Sequence, residues 1–256
     1  MAYPTGYREA GYLRPLAMSA KEAIVLAGGL GTRLRGVVSD VPKPMASVAG
    51  RPFLAWILDF LVTQGLRRVI LATGHMADKV QDTVGTRWRN MDIAYSVERT
   101  PLGTGGALKL ATAQLHGDTV HVLNGDTYLR YSLSGLEDAA KAARAPIAVA
   151  LAHVPDVTRY GAVTVQNGRI LEFQEKGAEG PGLVNAGGYY LSADALSALP
   201  VQAAFSFETE VLRQGAAAGR LAAFTQTDAF IDIGVPEDFI RAQTLFGPSI
   251  PAVEER

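Results

Sequence analysis

Apolar residues in this chain fall in short unbroken runs more often than in alternation. Residues 23–26, 68–72, 120–123 and 147–153 each read as strands buried on both faces, and 93–97 alternates like a half-buried one. Between them lie helical stretches at 51–64 (closed by Gly65), 77–84, 104–115 and 133–143. Strand and helix in turn predict βαβαβ units, with parallel strands and helices on both faces. Beyond Arg159 the pattern changes. Residues 163–173 read as two strands around Asn167-Gly168, a strong hairpin signal, and 184–191 as a further strand. Helices at 193–199 and 208–217, strands at 221–225 and 230–232, and a last helix opened by Pro236 complete the series. The predicted fold class is α/β, a Rossmann-like mixed, mostly parallel sheet with an inserted β-hairpin region. Residues 1–20 are expected to form a flexible N-terminal extension, 21–247 a single domain, and 248–256 a C-terminal tail.

Composition narrows the function. Hydrophobic residues make up 48% and charged ones 19%, with a formal net charge of −1, so a role in coating nucleic acid or a membrane surface is not expected. The absence of cysteine excludes thiolate metal sites and cysteine nucleophiles and fits a reducing compartment such as the cytoplasm. The longest uncharged apolar stretch, near 146–154, is too short to span a bilayer. Oligomeric state is left open, a homo-oligomer included.

Chemistry concentrates after the first strand, in Leu26-Ala27-Gly28-Gly29-Leu30-Gly31-Thr32-Arg33-Leu34, closed by Pro42-Lys43-Pro44. A strand running into glycines lets backbone N–H groups approach phosphate oxygens, while Arg33 adds a planar fork of donors and Lys43 a mobile charge. The Walker pattern fails, because Val37-Val38 follow Gly36, and Leu34 stands where the dinucleotide fingerprint needs a small residue. The loop therefore reads as a different cradle for a nucleoside triphosphate. Asp126 and Asp232 each end an apolar run, where a carboxylate beside phosphates suits Mg²⁺. Each alone could equally be a cap or a turn residue. Glu172, Glu175 and Lys176 form a polar cluster that is either a solvated loop or a grip on a second phosphate. Residues 101–106 open a helix, either against a base or ribose or simply capped by Thr104. The four histidines share no metal-ligand spacing and receive no role.

These motifs, with Pro101-Leu102-Gly103-Thr104-Gly105-Gly106, Asn124-Gly125-Asp126, Tyr160-Gly161, Phe173-Gln174-Glu175-Lys176, Asn185-Ala186-Gly187 and Ile231-Asp232-Ile233-Gly234, resemble the sugar-1-phosphate nucleotidyltransferases over about residues 22–246. The resemblance implies the nucleotide-diphospho-sugar transferase fold and an enzyme joining a nucleoside triphosphate to a sugar 1-phosphate with release of pyrophosphate. By the same resemblance Gly28, Gly29, Gly31 and Arg33 hold the triphosphate, and Arg33 faces the leaving pyrophosphate. Leu26, Ala27, Thr32, Glu98, Gly103, Thr104 and Asn124 belong to the nucleotide side. Lys43 neutralises the reacting phosphates, Asp126 and Asp232 hold Mg²⁺, Lys176 grips the sugar phosphate, and Gly161, Glu175 and Asn185 meet the sugar.

One departure is informative. Arg35-Gly36-Val37-Val38-Ser39-Asp40 replaces the usual Leu-x-Pro-Leu-Thr, and this version is similar to the heptose 1-phosphate guanylyltransferase branch. Glu98 stands where pyrimidine-reading members carry glutamine, and a carboxylate can accept from guanine N1–H and N2–H₂. The expected substrates are GTP and a sugar 1-phosphate, with D-glycero-α-D-manno-heptose 1-phosphate favoured over mannose 1-phosphate, in the service of cell-surface polysaccharide such as lipopolysaccharide. A catalytically inactive sugar-nucleotide sensor is the non-enzymatic alternative.

Overall fold

The structure, a computed structural model, describes residues 20–29, 41–177 and 179–247. Both expected tails, apart from Ala20, lie outside the described residues, as does 30–40. The first half supplies β1 (Glu22–Leu26), the short pair β2 (Ser47–Val48) and β3 (Arg51–Pro52), α1 (Phe53–Thr63), β4 (Arg68–Thr73), α2 (Ala77–Val84), β5 (Arg87–Trp88), β6 (Met91–Val97), α3 (Gly103–Thr112), β7 (Val120–Asn124) and β8 (Thr127–Tyr131). The second supplies α4 (Leu133–Ala143), β9 (Ile147–Val154), β10 (Val163–Gln166), β11 (Arg169–Phe173), β12 (Gly182–Leu191), α5 (Ala193–Ser197), a π-helical turn Glu208–Arg213 running into α6 (Gln214–Ala217), β13 (Leu221–Phe224), β14 (Thr227–Asp232) and α7 (Pro236–Phe246).

Ten strands make one sheet in the order β10-β11-β13-β9-β12-β7-β1-β4-β6-β5. β6, β4, β1, β7, β9, β13 and β10 run one way, and β5, β12 and β11 run against them. The mixed sheet agrees with the sequence expectation, and so does the 163–173 hairpin, where Asn167 and Gly168 both take positive φ.

The unbroken apolar runs have a simple cause. In β1, Ala23 and Val25 pack with Phe53, Leu54, Ile57, Leu58 and Leu61 of α1 on one face, while Ile24 packs with Leu108 and Ala111 of α3 on the other. Each of the larger side chains stabilises the fold by about 1.5–3 kcal/mol when fully buried. Both faces are covered, so neither has room for alternation.

Three elements differ from the sequence expectation. Arg51 and Pro52 start no helix because they pair with Ser47 and Val48, which moves the start of α1 to Phe53. Residues 208–213 wind as a π-helix instead of opening one α-helix. The strand expected at 230–232 begins at Thr227, because it pairs antiparallel with β8, whose half-polar sequence carries no clear strand period. Among the described residues no helix is long and apolar enough to cross a membrane.

His121, in β7, is fully buried beside the Tyr190 ring, and neither ring nitrogen has a hydrogen-bond partner among the described residues. Burial pushes its pKa from an ordinary 6.5 to about 4, against a small opposing pull from Glu137. The unfolded chain therefore takes up a proton below pH 6.5 that the folded chain refuses until about pH 4. Stability should fall as the pH drops through that window. Urea melts at pH 7 and pH 5 should show the parent losing about 2 kcal/mol more than His121→Leu; equal losses would dismiss His121 as the acid-sensitive group.

Candidate active site

A cleft opens at the carboxyl edge of the parallel strands, where ligands of open α/β sheets bind. β1 ends there, locked on both sides: Ala27 N–H donates to Ala72 O at 2.8 Å, and Gly125 N–H donates to Leu26 O at 2.9 Å. The cleft has a volume of about 550 Å³. Of the residues expected at the site, Leu26, Gly28, Gly29, Lys43, Glu98, Gly103, Thr104, Asn124 and Asp126 line it. Gly31, Thr32 and Arg33 lie outside the described residues. Ala27 is buried just beneath the cleft.

Lys43 stands on a tight turn, Lys43–Met45, between two prolines, and the turn is pinned by buried Met45 and Ala46. Its ammonium lies 2.6 Å from Asp126 Oδ2 and 3.8 Å from Asp232 Oδ1, with side chains 13%, 35% and 29% exposed. The β8–β14 ribbon accounts for the meeting of two aspartates so distant in sequence. Thr127 faces Asp232 in its register, and Ile233 N–H donates to Asp126 O at 3.0 Å. Thr127 Oγ1 donates to Asp126 Oδ1 at 3.2 Å, and Gly234 N–H donates to Asp232 Oδ1 at 2.7 Å. Burial, then the charge of Asp126, push the Asp232 carboxyl above its usual range, and Lys43 and the Gly234 amide only partly offset them.

Two carboxylates against one ammonium leave a surplus negative charge in a half-buried place. That donor set fits Mg²⁺, which takes one or two carboxylates and fills its remaining positions with water and substrate phosphates. Among the described residues no group of three or more His, Asp or Glu is placed to hold a metal, so a cation here would rely on oxygens from its ligands.

Glu98 follows β6 into the cleft. Its Oε2 accepts from Leu102 N–H at 3.0 Å. Its Oε1 and Cγ lie so near Gly74 that a Cβ there would meet them at 2.7 and 2.9 Å, and a Cβ on Gly28 would lie 3.2 Å from Oε1. One oxygen is thus engaged and the other faces the glycine-lined wall. The run Gly103–Gly106 has a different explanation from the one the sequence suggests. Gly105 and Gly106 N–H both donate to Phe205 O, and a Cβ on Gly105 would lie 2.2 Å from the Phe205 ring. Those amides hold the chain itself. Thr104 does not cap α3 either: its hydroxyl donates to Glu208 at 2.6 Å and accepts from Phe207 N–H at 3.0 Å.

The expected sugar-side residues do not line this cleft. Asn185 donates to the Tyr189 hydroxyl at 3.0 Å and accepts from Gly187 N–H at 3.1 Å, which holds an irregular turn in β12. Gly161 is buried against Gln174 O, Glu175 pairs with Arg213 at 2.5 Å, and the exposed Lys176 side chain has no hydrogen-bond or ionic partner among the described residues. Beside Gly161, Arg159 pairs with Asp238 of α7 and lies over the Tyr160 ring.

The cleft also includes residues that sequence reasoning missed: Gly74, His75, Arg99 and Thr100. Arg99 directly follows Glu98, and its guanidinium has no partner among the described residues. Its position one residue past a candidate base reader was the available signal.

Residues 22–247 match the family described as "Nucleotidyl transferase". The chain belongs to that family. Among curated relatives of this nucleotidyl transferase, the D-glycero-alpha-D-manno-heptose 1-phosphate guanylyltransferase of Campylobacter jejuni is 40% identical over 85% of this chain and 96% of its own. The protein of the same name from Aneurinibacillus thermoaerophilus is 37% identical over 87% and 96%. HddC from Yersinia pseudotuberculosis, in a crystal structure with GMP-PN, superposes with a TM-score of 0.76 at 35% identity, covering 88% of this chain and 99% of that one.

Since burial and Asp126 outweigh Lys43 at Asp232, ionised Asp232 costs folding free energy. Asp232→Asn should therefore raise the thermal unfolding midpoint in metal-free buffer at pH 7 while lowering catalytic turnover. A lower midpoint would show that the pairing with Lys43 dominates.

Proposed function

We propose that this nucleotidyl transferase condenses GTP with D-glycero-α-D-manno-heptose 1-phosphate to give the GDP-sugar and pyrophosphate. The observation that carries the reading is the Lys43 ammonium held between Asp126 and Asp232 beside a glycine-lined cleft. Relatives of 37–40% identity that bear the heptose guanylyltransferase name support the choice of substrates.

In this reading a phosphate oxygen of the sugar 1-phosphate attacks the α-phosphorus of GTP. The bond from that phosphorus to the bridging oxygen breaks, and pyrophosphate leaves with the electron pair. The attacking phosphate is already ionised, so no side chain needs to remove a proton. Catalysis then rests on placing the two substrates and offsetting charge. Lys43, fixed by its turn, offsets the charge at the reacting phosphates. Arg33, which lies outside the described residues, is assigned to the departing pyrophosphate. Glu98 offers Oε1 to the donor edge of guanine, while Leu102 N–H holds Oε2. The free ammonium of Lys176 holds the sugar phosphate, with Gly161, Glu175 and Asn185 on the sugar side. Mg²⁺, held by Asp126 and Asp232, would supply polarisation of the phosphoryl oxygens. A cytoplasmic setting and a place in building cell-surface polysaccharide such as lipopolysaccharide belong to the same reading.

Pyrophosphate release measured for GTP, ATP, UTP and dTTP against heptose, mannose and glucose 1-phosphates tests it. GTP with the heptose phosphate should give the highest kcat/KM, and Lys43→Ala should lower it by about 10²–10³-fold. No turnover with GTP would remove the base assignment, and preference for mannose 1-phosphate would replace the sugar. Unchanged activity in Asp126→Asn would remove the metal site.

A further inference from the structure

A second cleft, of about 620 Å³, lies at the opposite edge of the sheet from Lys43. Its walls are the starts of β9 and β13, the end of β12, the last turn of α4, and α6 with the π-turn before it. We propose that it binds a phosphorylated sugar, with the phosphate on Arg144 and Arg220 and the hydroxyls on Asp194 and Gln214. The nucleotide chemistry described above does not use this space.

Charge is the first ground. Arg144 and Arg220 both line the cleft, and neither guanidinium has a hydrogen-bond or ionic partner among the described residues. The third cation on that wall, Lys141, is already paired with Glu137 at 2.5 Å. Two exposed guanidiniums on the lining of one concave space, without partners among the described residues, suit an oxyanion better than a neutral guest.

The backbone is the second ground. Arg144 sits at φ 48°, ψ 43°, in the left-handed region that favours glycine. Its N–H closes the end of α4 onto Ala140 O and Lys141 O, and Ala145 N–H donates to Ala140 O at 2.9 Å. The cap fixes the point from which the Arg144 side chain leaves the helix end.

The frame around the pair is the third ground. Arg169 of β11 donates through Nη1 to Gly219 O at 2.6 Å and through Nη2 to Ala143 O. Those are the residues immediately before Arg220 and Arg144. One buttressing guanidinium thus fixes the two backbone positions from which the free ones project.

The remaining lining chooses between kinds of anion. Glu210 is engaged by Gln202, whereas the side chains of Asp194 and Gln214 have no hydrogen-bond partner among the described residues. A carboxylate sharing the cleft with two guanidiniums disfavours a bare polyanion. It rewards a guest that carries hydroxyl donors beside its phosphate.

The test is amide chemical-shift mapping on the full ¹⁵N-labelled chain with glucose 6-phosphate, inorganic phosphate, glucose and citrate. Glucose 6-phosphate should shift the amides of Arg144, Ala145, Arg220 and Leu221 in a saturable way. Inorganic phosphate should shift the same amides more weakly, and glucose should leave them unmoved. Arg144→Gln with Arg220→Gln should weaken glucose 6-phosphate binding at least tenfold and leave basal pyrophosphate release unchanged. Arg144→Gly serves as the control for folding: it should lose binding while its unfolding midpoint stays level or rises. Shifts confined to Gly28, Gly74 and Asn124 would overturn the proposal. So would equal binding by the double variant, or citrate binding as tightly as glucose 6-phosphate.

Discussion

Two carboxylates and one ammonium share a half-buried place at the edge of the sheet, and much of the surrounding structure serves to keep them there. Asp126 is carried by the end of β7, Asp232 by β14, and Lys43 by a proline-bracketed turn whose other end is sunk in the core. None of these elements is adjacent to another in sequence. The short β8–β14 ribbon makes the arrangement definite, because a slip of one residue in its register would turn Asp232 to the other face. The imbalance of charge is then a standing property of the fold. Asp232 is partly withdrawn from water, next to a like charge, and the lysine answers only part of the demand.

The core of the fold was legible because the physics that forms it is local in sequence. A strand covered on both faces must be apolar throughout, so 23–26, 68–72, 120–123 and 147–153 announced themselves. The hairpin was legible because Asn167-Gly168 accepts the left-handed backbone that a tight turn needs. What escaped was whatever depends on a distant partner. Thr127–Tyr131 carries no clear strand signal of its own and becomes a strand by pairing with Thr227–Asp232. The reversed direction of β12 between β7 and β9 leaves no mark in its composition.

The site divides along the same line. Motif residues of the nucleotide side do gather at one cleft, because they sit at the ends of strands that the sequence already located. Arg99 and His75 were overlooked since no pattern distinguishes them from loop residues. The Gly103–Gly106 run misled in a more instructive way. Glycines mark close approach, but the sequence does not say to what. Here the visitors are the Phe205 ring at Gly105 and the Ala203 carbonyl at Gly106, about a hundred positions later. Asn185 is a milder case, since its amide is occupied in holding the bend of its own strand.

The ribbon between β8 and β14 also bears on the order of events during synthesis. Every described residue lining the nucleotide cleft lies at or before Asp126, so that wall is synthesised well before Asp232. Asp232 emerges more than a hundred residues later, on a strand that has nothing to pair with except a segment completed long before. Through that interval of elongation Asp126 has been made and Asp232 has not. The second acidic group, with the surplus charge that would draw in a cation, arrives only with the last strand of the fold.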